Sequence, residues 1–524
     1  MSAPVFFRPH GAWVGDVIPW ESDGTFHLFY LHERRDSDVG TPWHLVSTRD
    51  FVTWTDHGEA LPSGGPDAVD HNAYTGSVVQ DDDGLLYAFY TGQNPRRPGP
   101  DGRPLQVVTW ATSTGDLTRW TKTTEPVVEA PSGYEPGDWR DPFVFRDREA
   151  GLWRMLLAAR HEGAPERRGG VVAQCVSRDL THWEPAEPLW DPARYLTQEC
   201  PEVFHWNGWW YLVYSEFTDA FVTRYRMARS LEGPWIAPRF DSVDGRAYYA
   251  AKSAARDGRR FFFGWIASKE GSHDDGAWQW AGTLSVLEAR QEADGTLGFG
   301  LPEELAASFT ATEDVRLVPP DSGVPRRSGS HAGSGSHASS GSHASIEAWD
   351  GYAARLSESE VPEQALIEVT LDIAEDTRTA GVLLRASADG EESYALRLEP
   401  DRGRMVLDRW PRPRTGTEQW QISGDVPHAV ELERPCELPP GPHTLRILFD
   451  GDLCVADLDG RVCLSTRLYD HPRGRFGVFV GDGALDVTSA RVGVREPDPV
   501  GGSRDAGSSR TTHPPVAGSL VKAP

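Results

Sequence analysis

The chain is poor in the features that most other fold classes require. Its 524 residues contain only five cysteines. Cys175, Cys200, Cys436, Cys454 and Cys463 are odd in number and lack paired metal-ligand spacing, which argues against a disulfide framework or a zinc site and points to reduced thiols. No metal or other cofactor is expected. No segment approaches the roughly 18 uninterrupted apolar residues of a membrane-spanning helix. The N-terminus, Met1-Ser-Ala-Pro-Val-Phe-Phe-Arg, has no basic stretch leading into an apolar one, so the expected location is cytoplasmic. Basic residues are also in short supply: 52 Lys and Arg face 78 Asp and Glu, for a formal net charge of −26. Because that charge is spread along the chain, neither a nucleic acid nor an anionic membrane is expected as a partner. Long runs with apolar residues at i, i+3, i+4 and i+7 are hard to find.

What the chain has instead is short aromatic strands separated by turns, built from 53 Gly, 40 Pro and 20 Trp, which predicts an all-β fold. Five segments align on a glycine: Gly24-Thr-Phe-His-Leu-Phe-Tyr, Gly84-Leu-Leu-Tyr-Ala-Phe-Tyr, Gly151-Leu-Trp-Arg-Met-Leu-Leu, Gly208-Trp-Trp-Tyr-Leu-Val-Tyr and Gly258-Arg-Arg-Phe-Phe-Phe-Gly. After the first four, a polar turn leads to Trp54, Trp120, Trp183 and Trp235, at spacings of 66, 63 and 52 residues. A four-stranded unit needs roughly 40 to 50 residues, so the repeats suit the blades of a five-bladed β-propeller over residues 1–319. The tryptophans are expected to seal each blade against its neighbour.

Residues 320–345 are rich in Gly, Ser and His and read as a flexible linker. The spacing of His331, His337 and His343 reflects low complexity better than metal binding. Alternating strands over 346–496 predict a C-terminal β-sandwich, and 497–524 has the composition of a disordered tail. Trp349, Tyr352 and Trp410 could touch a polysaccharide, but packing in a core or interface suits them better. Bracing the propeller or forming a homodimer are the roles expected of the sandwich.

Asp16, Asp141 and Glu199 precede their repeat glycines by 8, 10 and 9 residues and are expected to hold the same place in three blades. Inner strands of a closed ring point at one axis, so three remote carboxylates would meet there. Such a group suits glycosidic bond cleavage, in which one carboxyl protonates the leaving oxygen and another meets the developing cation. Asp16, beside Gly15 and with no positive neighbour, is the candidate nucleophile. Glu199, followed by Cys200 and Pro201, is expected to have a raised pKa and to serve as the acid. Arg140 is expected to keep Asp141 ionised, so that Asp141 stabilises the transition state.

The order Gly15-Asp16-Val17, His27-Leu-Phe-Tyr, Ser47 to Trp54, Thr75-Gly-Ser-Val-Val, Tyr90-Thr-Gly, Arg140-Asp-Pro-Phe-Val-Phe and Glu199-Cys-Pro-Glu-Val-Phe resembles glycoside hydrolase family 32, the invertase, inulinase and levanase group. The resemblance covers residues 1 to about 300. It implies a retaining β-fructosidase acting on a small fructoside through a fructosyl-enzyme intermediate. Asp16, Glu199 and Asp141 would be its nucleophile, acid/base and transition-state stabiliser. It further implies sugar contacts from Arg140, Trp43, Ser77 and Thr75, with Tyr74 and Thr75 at the family's Phe-Ser positions. Two departures stand out. Gly15-Asp16-Val17-Ile18-Pro19 replaces Asn-Asp-Pro-Asn-Gly, and Leu31, followed by His32, replaces a Gln. Two sugar-binding amides are therefore missing, with His32 a candidate substitute donor, and a different ring or linkage preference is expected. Two alternatives remain. Ser230-Leu-Glu-Gly-Pro-Trp resembles the inverting arabinofuranosidases and xylosidases of glycoside hydrolase family 43, and a carbohydrate-binding protein without turnover would keep the same propeller.

Overall fold

The computed structural model describes residues 3–35, 39–123, 128–321, 343–409 and 432–496. Five antiparallel meanders follow one another along the chain. Blade I comprises Trp13–Ser22, Thr25–Glu33, Trp43–Thr48 and Thr55–Leu61. Blades II and III run from inner strands Asn72–Gln80 and Tyr134–Asp147, each through three further strands. Blade IV has three strands starting at Glu199–Trp206. Blade V comprises Tyr248–Arg256, Arg259–Lys269, Trp278–Gln291 and Leu297–Gly300.

Each repeat glycine turns the first hairpin of its blade. Gly24, Gly84, Gly151, Gly208 and Gly258 have φ between 69° and 90°, a region that residues with a Cβ avoid. The inner strands of successive blades lie against one another, and that of blade V contacts that of blade I, so the ring closes. A Val14–Gly282 pair adds a backbone link at the closure.

Three of the four turn tryptophans pack on the preceding blade, while Trp54 packs on Phe7 at 6.2 Å and donates to Val5 O at 2.8 Å. Trp120 packs edge-on against Phe29 of blade I at 5.9 Å, and Trp183 against Phe89 of blade II at 5.6 Å. Trp235 packs on a core shared by Leu156 of blade III and Tyr214 of blade IV. The only α-helix among the described residues is the single turn Glu303–Ala307, and no helix of theirs is long and apolar enough to cross a membrane.

In the C-terminal sandwich, the long strand Gly474–Val494 pairs through its first half with Thr379–Ala386 and through its second half with Gln364–Ile373. The boundary lies earlier than the sequence suggests. Ala311–Asp314 pairs with Arg491 to Val494, and Leu317–Val318 pairs with Leu356 and Ser357, so residues 311–318 belong to the sandwich sheet, not to the propeller. Two- to four-residue strands carry too little pattern to be read before their partners are known. At the other end of the expected linker, Ala344 already opens a strand, Ala344–Val361. Residues 322–342, with His331 and His337, as well as Trp410 and the tail 497–524, lie outside the described residues.

One apolar core runs through both domains, uniting Phe263 and Phe299 of blade V with Ile447 and Cys463 of the sandwich. Polar ties cross the same boundary. Asp244 accepts hydrogen bonds from Ser465 N (2.9 Å) and Oγ (2.6 Å). Asp450 accepts from the backbone N–H groups of Val5 and Phe6, both at 2.9 Å.

Candidate active site

The inner strands share one local irregularity. On each of them a β-bulge interrupts pairing with the second strand. It holds Gly15 and Asp16 in blade I, Thr75 in II, Asp141 and Pro142 in III, Cys200 and Pro201 in IV, and Ala250 and Ala251 in V. Asp141, Cys200 and Ala250 have φ of 59°, 49° and 53°, the left-handed backbone that a bulge uses to re-aim side chains. This corrects the expected registration of the acids. Glu199 is the last residue before its bulge, Asp141 is the first residue within its bulge, and Asp16 the second. The acids thus occupy successive stations of one recurring bulge, from the residue before it to its second residue.

The three carboxylates nevertheless converge. Arg140 donates to Glu199 Oε1 at 3.0 Å and to Asp138 Oδ1 at 2.7 Å, with its Nε 3.8 Å from Asp141 Oδ2. The guanidinium is therefore bound more closely to Glu199 than to Asp141. Tyr249 OH donates to Glu199 Oε2 at 2.7 Å, so both oxygens of that carboxylate are held. Asp141 is buried and accepts from Cys200 N at 2.9 Å, while its own N–H donates to Thr91 Oγ1 at 2.8 Å. Trp265 Nε1 donates to Asp16 Oδ1 at 3.2 Å.

Electrostatics join the same groups. Burial, then the charges of Asp141 and Glu199, push the Asp16 carboxyl up to about 7, against the pull of the Lys252 ammonium and the Trp265 hydrogen bond. Glu199 is also raised, by burial first and by Asp141, although Arg140 and Tyr249 oppose the rise. Burial is thus the first cause of the rise.

The other sequence candidates support the site from behind. Trp43 is fully buried, with its indole N–H donated to the carbonyls of Ala73 and Tyr74, both at 3.1 Å. Ser77 Oγ donates to Pro142 O and accepts from Val144 N, each at 2.9 Å, tying blade II to the strand that carries Asp141. Thr75 is buried against Lys252, whose Nζ donates to Thr75 Oγ1 at 2.9 Å and Gly76 O at 2.6 Å. None of these three offers a free polar surface to a sugar. His32 stacks on His44 with ring centroids 3.8 Å apart, beside Tyr30, and touches none of the acids. The residue opposite the Asp16 bulge is Leu31, so one step of strand alternation turns His32 to the other face.

Tyr249, Lys252 and Trp265 were not foreseen from the sequence. A signal for Tyr249 existed: it stands nine residues before Gly258 (258 − 249 = 9), as Glu199 does before Gly208 (208 − 199 = 9). Trp265, paired with Tyr249 across the hairpin, follows from that placement.

Fold and site together define a two-domain, all-β protein whose ring of inner-strand bulges gathers three carboxylates, a guanidinium and a buried ammonium. Comparison with known proteins gives its family. The chain belongs to glycosyl hydrolases family 32: the N-terminal domain model of that family matches residues 6–293, and its C-terminal model matches residues 337–493. Among curated relatives, it is 28% identical over 327 residues to a rice β-fructofuranosidase, insoluble isoenzyme 6, covering 54% of this chain and 53% of the relative. It is 25% identical over 345 residues to a levanbiose-producing levanase of Bacillus subtilis, covering 60% and 63%. The chain thus spans between about half and two thirds of the length of these relatives. Among solved structures, fructan 1-exohydrolase IIa from Cichorium intybus superposes with a TM-score of 0.69 at 16% identity, covering 94% of this chain and 97% of that one.

Proposed function

We propose that the protein is a retaining glycoside hydrolase that cleaves terminal β-D-fructofuranosyl bonds. The observation that carries this reading is the convergence of Asp16, Glu199 and Asp141, each held by a different partner set. Glu199, raised in pKa and fixed by Arg140 and Tyr249, donates the proton to the glycosidic oxygen. Asp16, aimed by the Trp265 N–H, attacks the anomeric carbon and forms the fructosyl-enzyme. Glu199, now ionised, takes a proton from the water that releases fructose. Asp141, buried and anchored by the Cys200 N–H, accepts from sugar hydroxyls and stabilises the oxocarbenium-like transition state. Family membership supports the reading, as do relatives named for β-fructofuranosidase, levanase and fructan exohydrolase activity.

Sucrose and β-2,1 or β-2,6 fructans are the candidate substrates, with the missing amides weighing against a strict sucrose preference. The arabinofuranosidase reading has less support, because Glu232 lies on the exposed outer turn of blade IV, in an ion pair with Arg154. Incubation with sucrose, inulin, levan and an aryl arabinoside tests the proposal. Release of fructose is expected, and release of arabinose without fructose would overturn it. Glu199→Ala should lower kcat by orders of magnitude, and azide should restore turnover to Asp16→Gly if Asp16 is the nucleophile.

A further inference from the structure

The recurring bulge sets a second ring of side chains, at the residue that precedes it. This station holds Val14, Tyr74, Arg140, Glu199 and Tyr249 in blades I to V, each paired across its hairpin. Arg140 and Tyr249 both bind Glu199, so three of the five stations already belong to the site. Val14 is apolar and fully buried. Tyr74, beside Arg140 in ring order, is the one polar member with no assigned task. Only half-buried, it has a hydroxyl that accepts from Asn72 Nδ2 at 3.4 Å. Asn72 is itself fixed, donating to Gln93 Oε1 at 2.6 Å and accepting from Thr41 Oγ1 at 3.4 Å. Among the described residues nothing accepts the phenol's own proton. Burial, with the charges of Glu33 and Asp16, lifts the phenol to about 12, so it remains a donor at neutral pH.

We propose that the Tyr74 hydroxyl donates a hydrogen bond to a hydroxyl of the fructosyl unit and takes over recognition that the absent Asn and Gln amides leave undone. The inference rests on the fructosidase reading and deepens it. At this position the family pattern has a phenylalanine, which offers no such donor. The buried Asn72 amide behind the phenol donates to its oxygen and keeps it in place while leaving its proton for the ligand. Sites that hydrogen-bond a substrate hydroxyl discriminate strongly against analogues lacking it.

Tyr74→Phe removes the oxygen and keeps the ring, so the expected result is an unchanged Tm with KM for the preferred fructoside raised about five- to tenfold. Among monodeoxy-fructosides, one should be turned over equally well by wild type and variant, because the contact is already absent; a packing defect would lower turnover of every analogue alike. Free fructose binding, followed by tryptophan fluorescence, should weaken in parallel with KM. Equal KM and equal fructose affinity in the two proteins would overturn the proposal. If wild type releases fructose from no substrate, the fructosidase reading fails separately, and the fructose affinities of the two proteins still decide the role of Tyr74.

Discussion

At Asp16 two requirements conflict. A nucleophile must be ionised, yet burial and two neighbouring carboxylates push this group up to about 7. For an acid whose folded pKa exceeds its unfolded value of 3.8, the stabilising contribution is whole below pH 3.8 and is lost as pH rises through about 7. Asp16→Asn should therefore melt close to wild type at pH 3.5 and several degrees higher at pH 8, a difference that calorimetry at the two pH values would register. A constant offset would remove the argument. Lys252, held by Thr75 Oγ1 and Gly76 O, supplies the main opposing charge. Lys252→Gln is expected to move the ascending limb of the kcat/KM profile upward by about one pH unit. An unmoved limb would mean that Asp16 does not set it. Asp16, Arg140, Asp141 and Glu199 could be nominated from the sequence, because short motifs mark all four and the three acids fall near corresponding points of their repeats. Lys252 could not, since a lone lysine in a strand carries no pattern until the opposite blade is in position.

At the scale of the element, the inner-strand bulge is the unit that builds the site. Hairpin glycines and strand patterns were readable because turn chemistry and alternation are local. The bulge was not, since an extra residue is defined only against a paired strand. That is why the three acids seemed to share one place and instead occupy three neighbouring ones, and why His32 seemed closer to the sugar than it is. Close backbone approach imposes its own constraint at the ring closure. A Cβ on Gly282 would meet Ile266 O at 1.7 Å, where nothing flexible can yield. Gly282→Ala should lower Tm sharply, with a loss of roughly 3 kcal/mol or more in urea unfolding, in the range of severe backbone clashes. A loss below about 1 kcal/mol would show that the second and third strands of blade V lie less close than this geometry implies.

For the whole molecule, the sandwich is part of the structure that holds the site. Arg467 is buried and donates to Ile266 O (3.0 Å), Ala267 O (2.7 Å) and Thr283 Oγ1 (2.7 Å), next to the residue that aims Asp16. Its ion pair with Asp452 at 2.9 Å ties that support to the sandwich. Arg467→Met would strand three acceptors and should cost about 3–5 kcal/mol while also lowering kcat. With one core crossing the boundary, denaturant should unfold propeller and sandwich in a single transition. Two well-separated transitions would show that the domains are stable independently.

Repeat number, all-β character, the two-domain plan and the nomination of the three acids came from the residues alone, because each depends on local turn chemistry, alternation or short motifs. Tertiary structure decided the rest. It set the staggered stations of the acids and turned Trp43, Ser77 and Thr75 into struts. It also brought Tyr249, Lys252 and Trp265 from blade V to the site and assigned residues 311–318 to the sandwich. Each of those outcomes depends on which strand lies beside which, and pairing between distant segments is set by ring closure and burial, which no local pattern records.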